Sequence, residues 1–111
     1  MSRNSLARCY DIIEAIGKIR TYEPKMNGPD SEMALDAIVR QLAIIGEAAS
    51  RLDPPDRTLA QHIQWRKIIG LRNIAVHEYF RVDPVIIQGV VTDYLPDLLN
   101  ATEKIVLHNR T

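Results

Sequence analysis

The segment "SEMALDAIVRQLAIIGEAASRL", residues 31–52, decides the fold class. Leu35, Ile38, Val39, Leu42, Ile45 and Ala49 recur at three- and four-residue intervals, the period of an amphipathic α-helix with one broad apolar stripe. Asp30 or Ser31 stands where an N-cap belongs. Acidic Glu32 follows in the first turn, where a carboxylate meets the positive end of the helix dipole. "DPPD", residues 53–56, ends the run, because paired prolines remove N–H donors and restrict the residue before them.

The same period continues on either side. Leu6, Tyr10, Ile13 and Ile16, with Ile12 and Ile19 beside them, predict a helix over residues 4–21, and "EPKMNGPD" (23–30) breaks the pattern with two prolines and a glycine. "RTLAQHIQ" (57–64) reads as one short helix and Trp65 to Phe80 as a longer one. Asp83-Pro84 is an N-cap followed by proline at the first helical position, opening a long helix through "VIIQGVVTDYLPDLLNATEKIVL" that Pro96 should kink near Tyr94. "VIIQGVV" is rich enough in Val and Ile for a strand, but no hairpin or partner strand accompanies it. The expectation is one all-α domain over residues 1–111, a bundle of about four or five helices. The second and last helices carry more apolar surface than a monomer of this size requires, so a two-fold homodimer is expected.

Composition excludes several classes. With 46% hydrophobic and 25% charged residues, the 111-residue chain is of the globular rather than the disordered kind. No apolar run approaches the roughly 18 to 20 residues that span a bilayer. The first twenty residues interleave charges through what a signal peptide would keep apolar, so a cytoplasmic location without membrane attachment is expected. Cys9, the single cysteine, has no partner for an internal disulfide and sits among apolar neighbours as a small core residue. Net charge is zero, but residues 57–82 carry +4 while residues 30–56 carry −4. A local phosphate site is permitted; a whole-molecule field that attracts nucleic acid is not.

Inside the basic block lies "LRNIAVHEYF", residues 71–80, with Arg72, Asn73, His77 and Tyr79 set among Ile, Leu, Val and Ala. On an ideal helix Arg72 and Tyr79 fall within roughly 20° of each other, whereas Arg72 and His77 are separated by roughly 140°. Asn73 and His77, four apart, share a neighbouring strip, and Gly70 leaves open space on it. Any one of these residues alone is more simply a surface or partly buried polar side chain. Four together on an apolar segment point to a site, since buried polar atoms must all find partners.

The spacing R-x-x-x-x-H-x-Y, met by Arg72, His77 and Tyr79, resembles the motif of the HepT-like branch of the HEPN superfamily. "LAIIGEAASRL" (42–52), "WRKIIGLRNIAVHEYFRVD" (65–83) and "VTDYLPDLL" (91–99) are similar to stretches typical of that branch, so the resemblance covers the chain from about Ser31 onward. It implies a small α-helical dimer acting as a metal-independent ribonuclease toxin. The implied partner is a minimal nucleotidyltransferase antitoxin that adenylylates the motif tyrosine, here Tyr79. Arg72 and His77 would be the catalytic pair and Asn73 a supporting residue, with RNA as substrate and no cofactor or metal.

The chemistry agrees. RNA cleavage without a metal needs a group to take the 2′-OH proton, a group to protonate the 5′ oxygen and positive charge at the developing phosphorane. His77 titrates near neutrality and Arg72 offers a fixed cationic fork. One histidine cannot easily serve as both acid and base; two motif helices across a dimer interface would supply two. A nucleotide on Tyr79 would place charge and bulk beside Arg72 and block the cleft. Elsewhere His62 reads as a surface residue and His108 as part of a fraying terminus. Asp36, Arg40 and Glu47 read as a solvated back face of the second helix rather than as cleft lining.

Two other functions compete. The chain could be a non-catalytic subunit that engages a nucleotidyltransferase through Tyr79, which the neutral net charge favours slightly. It could also be a structural helical dimer whose polar strip sets register at the interface.

Overall fold

A computed structural model describes residues 3–74 and 83–110 of the chain. The described residues form an all-α bundle without strands. Two twenty-residue helices, α1 (Arg3–Tyr22) and α2 (Ser31–Ser50), pack side by side, and the 3-10 helix Glu23–Asn27 fills the proline-rich break between them. The short helices α3 (Pro54–Thr58) and α4 (Trp65–Gly70) come next, then a 3-10 turn over Leu71–Asn73. The chain closes with α5 (Pro84–Asp93) and α6 (Leu95–Asn109). Six α-helices among the described residues exceed the expected four or five, because a proline pair starts one helix and Tyr94 divides another.

The core confirms the stripe on α2: Ile38, Leu42, Ile45 and Ala49 are fully buried, Val39 nearly so and Leu35 partly. From the other side come Ile12, Ile16 and Ile19 of α1, Ile87 of α5, and Leu98 and Ile105 of α6. Each such side chain contributes about 1.5–3 kcal/mol on leaving water. On α1 the period holds but the phase is turned. Tyr10, expected in the apolar stripe, is 47% exposed, and the buried seam runs through Ser5, Cys9, Ile12, Ile16 and Ile19. A serine can occupy the seam because its hydroxyl finds a buried acceptor: Ser5 Oγ donates to Asp56 Oδ2 at 2.8 Å.

Asp56 is buried at the base of α3, where its other oxygen accepts from Asn109 Nδ2 of α6 at 3.2 Å. Three helices distant in sequence thus meet on one carboxylate, with both of its oxygens hydrogen-bonded, as burial of a charge requires. Burial, and secondarily the negative charge of Asp56, pushes the Cys9 thiol up from 9.0 to about 11. Cys9 is the fully buried core residue that its neighbours implied.

"DPPD" does more than end a helix. The prolines that stop α2 also begin α3, with Asp53 preceding Pro54 at the first helical position. The helix expected over "RTLAQHIQ" ends at Thr58 and gives way to turns. The Trp65 indole N–H donates to the carbonyls of Arg57 (3.1 Å) and Ala60 (3.0 Å), which also accept from the backbone amides of Ala60 and Ile63 in these turns. At the C-terminal end the proline signals hold. Asp83 caps α5, its side chain accepting from the Val85 N–H at 2.9 Å, and the chain breaks at Tyr94 with Pro96 in the first turn of α6.

Candidate functional site

The segment carrying the motif arginine crosses α2 near its C-terminal end, and a glycine makes the crossing possible. A Cβ on Gly46 would collide with the Arg72 amide nitrogen and stand 2.9 Å from the Leu71 carbonyl carbon and 3.0 Å from Arg72 Cα. Real Cβ atoms do not approach backbone so closely, and backbone cannot swing aside as a side-chain tip can. At this contact the α4 winding tightens into the 3-10 turn Leu71–Asn73, where an unbroken α-helix from Trp65 to Phe80 was expected. The angular placement of Arg72 on an ideal helix therefore does not carry over.

Beside the crossing stands Glu47. Its Oε2 lies 4.0 Å from Arg72 Nη1, while Arg51, one turn along α2, donates from Nε to Oε1 at 2.9 Å. One carboxylate is thus flanked by two guanidiniums, one at each oxygen. All three side chains are about half exposed, at 45% for Arg72, 48% for Glu47 and 57% for Arg51. Water screens such pairs, so each contributes at most about 1 kcal/mol to stability. Two guanidiniums against one carboxylate leave a net positive charge there. Arg66 and Lys67 of α4, six and five residues before Arg72, are exposed, and so is Asn73, the next residue after it. Three cations of the +4 block, Arg66, Lys67 and Arg72, are thus on the surface.

Of the four motif residues, Arg72 and Asn73 are placed on this face. His77 and Tyr79 lie outside the described residues. Glu47, expected on a solvated back face, is paired with Arg72 instead, because α2 turns its Gly46–Glu47 step toward the crossing segment. A signal for this was present. Glycine inside an otherwise apolar helix costs about 1 kcal/mol against alanine and usually marks a close approach. Gly70 behaves as expected: among the described residues nothing lies within 4 Å of the place where its Cβ would sit. Asp36 and Arg40 are exposed, as is His62.

His108 is the exposed penultimate residue of α6, close to the terminus as expected. It lines a cleft of about 650 Å³ with Asp53, Pro54, Pro55, Asp56, Leu59 and Asn109. That cleft carries carboxylates rather than cations and does not include the motif residues, so its charge is wrong for a phosphodiester.

A half-exposed guanidinium is the kind of group that can pair with a phosphate. The family model "Ribonuclease HepT-like" matches residues 12–105. The "Probable ribonuclease HepT" of Thermococcus cleftensis is 30% identical over 108 residues, covering 95% of this chain and 98% of that protein. "Putative RNase TTE0752" of Caldanaerobacter subterraneus subsp. tengcongensis is 32% identical over 101 residues, 91% of this chain and 87% of that one. "Putative RNase MJ1380" of Methanocaldococcus jannaschii is 28% identical over 104 residues, 91% of this chain and 95% of that one. No solved structure matches significantly. With a family model spanning most of the sequence and relatives matched nearly end to end, the chain belongs to the HepT-like ribonuclease family.

Proposed function

We propose that the protein is a metal-independent endoribonuclease, the toxin of a toxin–antitoxin pair, with Arg72 and His77 as its catalytic residues. The observation that carries this reading is the place of Arg72: its backbone is seated against Gly46 and its guanidinium lies beside Glu47, with the side chain 45% exposed. In the proposed reaction the 2′ oxygen attacks the neighbouring phosphorus as its proton leaves, and the 5′ oxygen departs with a proton, leaving a 2′,3′-cyclic phosphate. Arg72 stabilises the charge on the non-bridging oxygens, strongest when the phosphorane is formed. His77 exchanges protons near neutral pH, and Asn73 orients it or donates to the phosphate.

Two histidines serve better than one as acid and base, which makes a homodimer part of the proposal. Val85 and Ile86, 78% and 62% exposed at the start of α5, support it as apolar surface in want of cover. A minimal nucleotidyltransferase would act as antitoxin by adenylylating Tyr79, adding charge and bulk two residues from His77. The location proposed is the cytoplasm; no described helix is long and apolar enough to cross a membrane.

The test is RNA cleavage by purified protein in EDTA, wild type beside His77→Ala, with product ends identified. Cleavage that survives EDTA, requires His77 and leaves cyclic phosphate is the expected result. Equal cleavage by the His77→Ala protein would overturn the mechanism. A second reading, a non-catalytic subunit that docks a nucleotidyltransferase, draws on the zero net charge of the chain, since proteins that grip RNA without specificity are often basic. It predicts no cleavage by either protein while Tyr79 still accepts a nucleotide, and growth arrest on expression that Arg72→Ala does not relieve.

A further inference from the structure

We infer that Glu47 is a positioning residue for Arg72, held in turn by Arg51, and that the Gly46–Glu47 step of α2 is the device that aims the motif arginine. The inference rests on the proposed ribonuclease reading for its consequence in rate, but on geometry for its existence. Two features independent of one another place the device. The bare Cα of Gly46 lets the Leu71–Arg72 backbone touch α2, which fixes where the arginine starts. The next residue, Glu47, presents Oε2 to Arg72 Nη1 at 4.0 Å, which biases where the guanidinium ends.

Arg51 matters because a glutamate alone on a helix surface has several rotamers. Its Nε–H on Oε1 at 2.9 Å holds the carboxylate so that the other oxygen stays turned toward Arg72. A long flexible side chain is thereby directed at both ends without being buried, and it keeps donors free for a phosphate. The 4.0 Å separation is long for a strong ion pair, so an arriving phosphate can take the guanidinium without first breaking a tight bond. Removing the Glu47 charge should therefore act on the transition state more than on binding. Binding itself should tighten slightly, because a negative charge that repels RNA is gone.

The experiment compares wild type, Glu47→Gln, Glu47→Asp, Arg51→Ala and Arg72→Ala in steady-state cleavage of a short RNA across pH. The Nε–H resonance of Arg72 is followed by NMR in the same proteins. Glu47 is exposed, so none of its variants should fail to fold. The expected result for Glu47→Gln is a kcat lower by about tenfold with KM unchanged or reduced, the pattern of weakened transition-state stabilisation and smaller than the roughly hundredfold or greater loss of a direct donor. Glu47→Asp should recover part of that loss and Arg51→Ala should show a smaller one. The Arg72 resonance should shift and broaden when Glu47 becomes Gln, with the acid limb of the pH profile unchanged.

A kcat unaltered by Glu47→Gln, in a protein that Arg72→Ala inactivates, would overturn the inference and leave the ribonuclease reading intact. Loss of the acid limb in Glu47→Gln would overturn it differently, by making Glu47 itself the proton acceptor. If neither wild type nor any variant cleaves while the Arg72 resonance still depends on Glu47, the functional reading falls and the positioning stands.

Discussion

A methyl group at position 46 would have to occupy space that the Arg72 amide already fills, so Gly46→Ala should force α2 and the motif segment apart. Overpacking of this kind costs about 1–3 kcal/mol, and a lowered urea midpoint with unchanged slope would register it. Gly17 is the opposite case. It lies on the exposed side of α1 with nothing near its missing Cβ, so Gly17→Ala should stabilise by roughly 0.5–1 kcal/mol through helix propensity alone. Cys9 makes a prediction in pH. Its thiol, raised from 9.0 to about 11 by burial and then by Asp56, binds its proton more tightly in the folded chain than in the unfolded one. The stability this supplies is complete below pH 9 and is lost as pH rises through 11. A rise of that size corresponds to about 2–3 kcal/mol, so wild type should lose more stability than Cys9→Ala between about pH 8.5 and 11.5 in parallel urea titrations.

Among the helices, the proline signals prove dual. Each of α3, α5 and α6 has a proline at its first or second position, where the missing N–H costs nothing, and each begins at a point where the chain must turn. Reading "DPPD" only as a stop misses this, although the same rule reads Asp83-Pro84 correctly. The difference lies downstream of each proline. After Pro84 comes an apolar run that announces its helix. After Pro55 the helix lasts only to Thr58, and the turns that follow are tied by the Trp65 indole to the carbonyls of Arg57 and Ala60. Of the three, α5 alone has a side-chain cap, the Asp83 carboxylate on the Val85 N–H. Asp83→Ala should cost about 1 kcal/mol and lower protection of the α5 amides in hydrogen exchange before those of α2.

On the scale of the molecule, apolar surface and buried charge pull in different directions. Val85 and Ile86 stand exposed at the head of α5, where covering them would favour association. Replacing Ile86 with Asp should therefore shift sedimentation toward the monomer if the proposed dimer uses this face; an unchanged mass would remove the face from the interface. Asp56, by contrast, joins α1, α3 and α6 through Ser5 and Asn109 and is nearly inaccessible. Cutting it to Ala removes two hydrogen bonds to a carboxylate, from Ser5 Oγ and Asn109 Nδ2, a loss of about 1–3 kcal/mol that thermal unfolding would detect.

The one-dimensional pattern determined whatever depends on neighbours along the chain. The three- and four-residue apolar period, the caps and the prolines specify helices, their approximate ends and a family-bearing motif, because helical hydrogen bonds and caps join residues a few positions apart. Tertiary structure alone decided whatever depends on residues far apart. The phase of α1, which puts Ser5 inward and Tyr10 out, comes from an acceptor fifty-one positions away in Asp56. The pairing of Glu47 with Arg72 comes from two backbones meeting at Gly46, whose purpose inside an apolar helix cannot be seen until the segment that crosses it is in place.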